Sequence, residues 1–313
     1  MTAFAKRCGV AILGIYVADL AFRASHMPGV GQTIAGSGFA MGPGGKGSNQ
    51  AVAAARAGAQ VSFISTIGRD PFADNALALW AGEGIVPRVQ QVAEQPTGAA
   101  FIYINHTSGE NAIIVVPGAA SLICAADVEA AADAIAGACV FVTQLEQPVA
   151  AARRGLEIAR AAGTITVFNP APAVEFDSAF YPLCDYITPN EHEAALLTGL
   201  PVTTLEQARR AGDVFLARGV GCALITLGAQ GALLHSAGES VLIAPFSVGP
   251  VVETAGAGDA FTGGFATALA EGASPRDAAR FASAVAAISV TRAGTAPSMP
   301  TRAEIEALLR SAA

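Results

Sequence analysis

In VVETAGAGDAFTGGF, residues 251–265, one carboxylate, Asp259, follows the run Ala255-Gly256-Ala257-Gly258 and leads into an apolar, helix-compatible segment. Gly256 and Gly258 let a ligand approach the main chain closely, and the first turn of a helix presents unpaired N–H groups with a partial positive charge. Such amides suit an anion. A carboxylate beside them is placed to take the proton of an attacking hydroxyl while the amides offset charge on a transferring phosphoryl group. The plainer alternative is an acid that caps the helix, which leaves the Ala-Gly-Ala-Gly run and Gly263-Gly264 without a purpose. Glu253, just upstream, is a second acid whose task this reading does not supply.

Other stretches carry weaker signals. GPGGKGSNQAVAAARAG, residues 42–58, matches G-x-G-x-x-G at Gly42, Gly44 and Gly47. A dinucleotide fingerprint would directly follow the first strand, which ends near Leu13, so these glycines come too late. Lys46 is followed by Gly47 where a P-loop needs Ser or Thr. What remains is a glycine-rich helix start with two donors for ligand oxygens, Lys46 and Asn49, or a structural tight turn. Asn190-Glu191-His192-Glu193 follows the strand-like DYIT, and Thr226-Leu227-Gly228, with Gly231 just beyond, ends CALITL. Ligands collect outside the carboxyl ends of strands in open α/β sheets, so these read as nucleotide-side residues. Glu193 suits Mg²⁺ held through water, and a solvated helix start is the alternative. Glu146 closes CVFVTQLE as a strand-end acid. His26, His106, His192 and His235 show no metal-ligand spacing.

The elements that must position these groups follow an alternating pattern. VSFIST (61–66), CVFVTQL (139–145), TITVFN (164–169), DYIT (185–188) and CALITL (222–227) are short β-branched runs; helical stretches over 71–82 and 149–162 follow the first two. This predicts a three-layer α/β domain with a mostly parallel sheet covered on both faces. Asp70-Pro71, Ser274-Pro275 with Asp277, and Thr301 with Glu304 mark helix starts. Residues 31–41 and 98–116 read as strands with no helix between them, the second a hairpin turning at 107–111. They predict a small β lid, with strands inserted at about 15–43 and 97–117 of a single domain spanning 1–313.

The composition narrows the classes. Of 313 residues 52% are hydrophobic and 14% charged, yet no span reaches the roughly 18 uninterrupted apolar residues of a membrane helix. Lys6 and Arg7 before a short apolar run imitate a secretory signal, but the run stops at Asp19 without a cleavage site. A net charge of −7 gives no attraction to nucleic acid or anionic lipid. The five cysteines, Cys8, Cys124, Cys139, Cys184 and Cys222, are scattered and odd in number, which suggests neither a zinc site nor a disulfide framework and fits a reducing cytoplasm.

Taken together, GGKGSNQAVAAARAGA (44–59), GRDPFADN (68–75), QLE (144–146), NPAPA (169–173), PNEHE (189–193), TLGAQGA (226–232) and ETAGAGDAF (253–261) resemble the ribokinase-like, or PfkB-type, sugar kinases, with the nearest likeness to the ribokinases among them. The resemblance runs in order from about Val10 to the C-terminus. It implies ATP-dependent phosphorylation of a primary hydroxyl on a small sugar such as ribose, with Asp259 as base and the amides of Ala255, Gly256, Ala257 and Gly258 as anion hole. Asp19, Gly45, Lys46, Asn49 and Glu146 would contact the sugar. Asn190, Thr226, Gly228, Gly231 and Gly258 would line the ATP site, with Glu193 supporting Mg²⁺. It also implies a lid that closes over the sugar and pairs with a second subunit's lid as a homodimer.

The sequence departs from that family pattern at three places. Val17 replaces an amide expected to read a sugar hydroxyl, which weakens the ribose assignment and leaves fructose, other ketoses and nucleosides open. Glu253 stands where an Asp usually helps to bind an activating K⁺. Arg292 lies in the loop 291–298, and an inward-pointing guanidinium there would substitute for K⁺. The monovalent-cation set implied by the family, Glu253, Ala255, Ser289, Arg292, Gly294 and Ser298, is therefore in question. A silent sugar or nucleotide sensor on the same fold is the alternative from another class.

Overall fold

The computed structural model describes residues 9–312; Lys6, Arg7 and Cys8 lie outside them. The strands are β1 (Val10–Leu13), β2 (Val17–Ala24), β3 (Gly38–Gly44), β4 (Val61–Ile67), β5 (Val86–Gln91), β6 (Thr97–Asn105), β7 (Asn111–Gly118), β8 (Val140–Thr143), β9 (Ile165–Phe168), β10 (Tyr186–Ile187), β11 (Cys222–Thr226), β12 (Ala232–Ser236) and β13 (Ser240–Ile243). The helices are α1 (Lys46–Ala57), α2 (Pro71–Gly82), α3 (Ala125–Ala130), α4 (Ala132–Ala136), α5 (Val149–Ala162), α6 (Glu191–Thr198), α7 (Leu205–Ala217), α8 (Ala257–Ala270), α9 (Pro275–Ser289) and α10 (Arg302–Ser311).

Nine strands form the main sheet in the order β13-β12-β11-β10-β9-β8-β1-β4-β5. It is parallel from β11 to β5 and ends in an antiparallel β11–β12–β13 edge. That edge departs from the simple alternation, because only a few residues separate these strands, too few for a helical crossover. Alternate side chains of β1 serve opposite faces: Val10 and Ile12 pack with α1, α2, α8 and α9, whereas Ala11 and Leu13 pack with α3, α5 and α7. The helix starts are the expected ones. Asp70 accepts from Ala73 N–H at 2.9 Å, Ser274 from Asp277 N–H at 3.2 Å, and Thr301 and Glu304 form a capping box. Among the described residues, no helix is long and apolar enough to cross a membrane.

A second sheet, β3-β2-β6-β7, stands apart. β2 pairs with β3 antiparallel and with β6 parallel, and β6 with β7 forms the expected hairpin. The lid differs in detail from the reading of 31–41 as strand. Pairing begins only at Gly38, because Pro28, Gly29 and Gly31 interrupt extended structure, and the segment from Val17 to Ala24 supplies the additional strand. Exposed apolar side chains stand on both of its faces, Phe22, Phe39, Met41, Ile114 and Val116 on one and Ile113 and Val115 on the other.

Candidate active site

Asp259 is the third residue of α8, whose N-cap is Gly256 at φ 79°, a left-handed conformation open to glycine. Thr295 closes the other side, since a Cβ on Gly256 would lie 3.2 Å from its Cα. Asp259 does not cap its own helix. It is 5% exposed; Oδ2 accepts from Asn49 Nδ2 at 3.1 Å and Oδ1 from Gln50 Nε2 at 3.0 Å, both on α1. Burial pushes its carboxyl upward, and the Lys46 ammonium with the Gln50 and Asn49 donors pulls it back.

α1 reaches this position because glycines remove what would hold it away. A Cβ on Gly14, after β1, would come 2.7 Å from Gly47 Cα, and one on Gly45, at φ 88°, 2.5 Å from Ile15 carbonyl oxygen. The run at 42–47 is thus the end of lid strand β3 turning directly into a helix. Lys46, the first residue of α1, donates its main-chain N–H to Glu146 Oε2 at 2.7 Å, so Glu146 satisfies an otherwise open helix N-terminus. The Lys46 ammonium is held charged, first by Asp259 against the cost of burial, then by Glu146 and Glu193. Burial pushes the Glu146 carboxyl up to about 7 despite Lys46. From the lid, Asp19 of β2 sits over Gly44, where any side chain would overlap its carboxylate. Burial, then the charge of Glu253, raises Asp19 to about 6.

Asn190 and Glu193 form a capping box: Glu193 N–H donates to Asn190 Oδ1 at 2.8 Å, and Asn190 N–H to Glu193 Oε2 at 2.9 Å. The helix start is therefore real, but it is not solvated, because Glu193 is 8% exposed and its carboxyl is raised by burial. Asn190 and Thr226 bridge in parallel, extending the sheet beyond β10 and β11. Gly228 and Gly231, at φ 52° and 99°, turn the chain there, and a side chain on Gly231 would strike the Ile243 carbonyl.

The loop after α9 corrects one expectation. Arg292 does not point inward; its guanidinium pairs with Glu304 at the start of α10, since that carboxylate offers a nearby charge-assisted bond. Glu253 and Gly294 do meet, Gly294 N–H donating to Glu253 Oε2 at 2.8 Å. The Ser289 carbonyl accepts from Arg292 N–H at 3.0 Å, and Ser298 Oγ donates to Thr295 carbonyl at 2.7 Å. Thr295 Oγ1 also donates to Pro43 carbonyl at 3.0 Å, joining this loop to the lid.

The pfkB family carbohydrate kinase profile matches residues 9–302. The chain belongs to this family. It is similar to a ribokinase of Haemophilus influenzae (40% identity, covering 94% of this chain and 95% of that one) and to a deoxyribokinase of Salmonella typhi (35%, covering 93% and 95%). Its fold superposes on an Arabidopsis thaliana ribokinase complexed with ribose and ATP, with TM-score 0.90, 29% identity and coverage of 97% and 99%. The pfkB-family chain is accordingly a phosphotransferase acting on a carbohydrate hydroxyl.

Sequence reasoning missed part of this carbohydrate kinase's site. Gln50, Gln144 and Asn169 are all buried, and Gln50 bonds to Asp259 and also to Asn169 and Gln144. Gln50 adjoins Asn49 in sequence, and two neighbouring amides in the first turns of an alanine-rich helix are the signal that was available. The long-range contact that gives Gln50 its partner was not.

Proposed function

We propose that this enzyme transfers the γ-phosphoryl group of ATP to the primary hydroxyl of ribose, with Asp259 as general base. The observation that carries the reading is Asp259 itself: buried in the first turn of α8, accepting on both oxygens from donors of α1, and next to the Lys46 charge. The names of the Haemophilus influenzae and Arabidopsis thaliana relatives support ribose and ATP.

On this reading the sugar lies between Asp19 of the lid and Lys46, Asn49 and Glu146 of the body, with Gly45 allowing close approach. Its primary hydroxyl gives its proton to Asp259 as it attacks. The N–H groups of Ala255, Gly256 and Gly258 and the Lys46 ammonium offset charge on the phosphoryl oxygens, while the Ala257 N–H, expected to join them, donates to the Thr254 carbonyl at 3.2 Å, and the lid keeps out water as a rival nucleophile. Asn190, Thr226, Gly228 and Gly231 line the ATP side. Glu193 fits a water-mediated contact to Mg²⁺, because the capping box engages only one of its oxygens. When bound, Mg²⁺ supplies charge neutralisation between the phosphates. The chain works as one α/β domain with its inserted lid, in the cytoplasm. Two copies pair through the lid face that carries Phe22, Phe39, Met41, Ile114 and Val116, where exposed apolar side chains and flanking unpaired strand edges suit such pairing.

A second reading concerns the sugar alone. Val17 is buried and apolar, and a Cβ on Gly98 would come 2.8 Å from its Cγ1. A pentose with one hydroxyl fewer suits that wall, and the Salmonella typhi relative is named a deoxyribokinase. Coupled ADP release over ribose, 2-deoxyribose, hexoses, ketoses and nucleosides tests both readings. Ribose or 2-deoxyribose should give the highest kcat/KM, and no ADP release with any of them would return the chain to a sensor.

A further inference from the structure

A line of buried carboxamides runs from the main chain to Asp259. The Thr188 carbonyl can only accept, so Asn169 must present Nδ2 to it, at 2.7 Å. Asn169 Oδ1 then faces Gln50, whose Nε2 donates to it at 3.1 Å. The second hydrogen of that Nε2 goes to Asp259 Oδ1 at 3.0 Å, and Gln50 Oε1 accepts from Gln144 Nε2. Each of these amides has one permitted orientation, set outward from a backbone carbonyl, and the group that reaches Asp259 is a donor. Asn49, on the other oxygen, differs. Its Oδ1 is buried and has no hydrogen-bond partner, so nothing there fixes its amide one way round.

The geometry points to Gln50 as a positioning residue that keeps Asp259 Oδ1 an acceptor throughout turnover, leaving Oδ2, beside the reorientable Asn49 amide, to take the sugar proton. This rests on the reading of Asp259 as base. In the step, the sugar O–H bond breaks and an Oδ2–H bond forms. The hydroxyl's electron pair makes the new bond to the γ-phosphorus, and the bridging P–O pair leaves with ADP. A half turn of the Asn49 amide then offers its Oδ1 to the new Oδ2–H, giving up the Nδ2 bond to Asp259 and the contact of that amide with the sugar. The charged groups that face Asp259 are Lys46 of α1, Glu146 after β8 and Glu193 of α6, and none of them bonds to Oδ1.

The test is kcat against pH, at saturating ribose or 2-deoxyribose, for the full chain and for Gln50→Met and Gln144→Met. Losing one donor to a charged group should move the acid limb of Gln50→Met upward by about one to two pH units. Its kcat would then fall roughly tenfold to a hundredfold at low pH and recover at high pH, with the KM for ATP unchanged. Gln144→Met removes the donor that polarises the Gln50 amide through Oε1 while Asn169 still orients it, so it should show a smaller shift in the same direction, and it carries the test if thermal unfolding shows Gln50→Met to be misfolded. An unmoved acid limb, or an equal loss of kcat at every pH, overturns the proposal. Asp259→Asn in the same series separates the two claims: if it is active, the base reading itself has failed; if it is inactive while the limb stays put, only the role of Gln50 has.

Discussion

The main-chain N–H of Gly294 donates to Oε2 of Glu253 at 2.8 Å, fastening the approach to α8 to the loop that follows α9. The charge of Glu253 reaches further, since after burial it is the cause that raises the Asp19 carboxyl on the lid to about 6. One side chain therefore joins the loop expected to hold a monovalent cation to the wall expected to hold the sugar.

Shortening that side chain should expose what it replaces. Wild-type turnover is expected to respond weakly to K⁺, because Glu253 already holds Gly294 N–H. Glu253→Asp, with a carboxylate roughly 1.5 Å shorter in reach, should release Gly294 and show a larger, saturable activation by K⁺ over Na⁺. Strong K⁺ activation of the wild type would contradict this.

Asp259→Asn should lower turnover by about 10² to 10⁴, the range for loss of a positioned base. ADP release with sugar and ATP saturating is the measurement, and binding of ATP by calorimetry should be retained. Near-normal turnover would remove the base.

Glu146 links pH to both stability and sugar capture. Its carboxyl stands at about 7 in the folded chain because of burial, above the ordinary range near 4.3 of an unfolded chain. The folded state binds the extra proton, so stability falls as pH rises from about 4 to 7 and stays lower above that. Glu146→Gln keeps an acceptor for Lys46 N–H and removes the buried charge. It should flatten this dependence and gain on the order of 2 kcal/mol at pH 8, read from urea denaturation at pH 5 and pH 8. Its KM for sugar should also lose the part of its pH dependence that titrates near 7 and keep the part near 6 that belongs to Asp19.

Val17→Asn introduces an amide where the wall is apolar. If Val17 selects against ribose, the variant should improve kcat/KM for ribose relative to 2-deoxyribose by about 1–3 kcal/mol, roughly 5- to 150-fold. A ratio that does not move would place sugar choice elsewhere.

Much of this architecture was legible because local signals agreed with one another. Asp70, Ser274 and Thr301 start helices as their side chains dictate, and the parallel strands from β1 to β11 follow from β-branched runs spaced by alanine-rich helices. The glycines at 256 and 258 marked the site because their chemistry is main-chain chemistry. Two things were hidden. The direction of Arg292 depends on Glu304 in a helix that begins after the loop, and the partners of Gln50 lie more than a hundred residues away, at Asn169 and Asp259. Side-chain direction at such long range is a property of packing, and no local pattern encodes it. The lid strand from Val17 to Ala24 falls within the insertion expected at about 15–43, and only its separation from β1 was obscured, because the two follow so closely that they read as one apolar run.

Gly45 is the whole of the link between β3 of the lid and the first turn of α1, and it cannot carry a side chain without striking the Ile15 carbonyl. β3 and α1 therefore meet at a single residue, with Asp19 on the strand beside β3 and Lys46 on the first turn of α1. On the proposed reading, a sugar that bridges Asp19 and Lys46 spans this junction, so that recognition by the lid and placement of the ammonium depend on one residue.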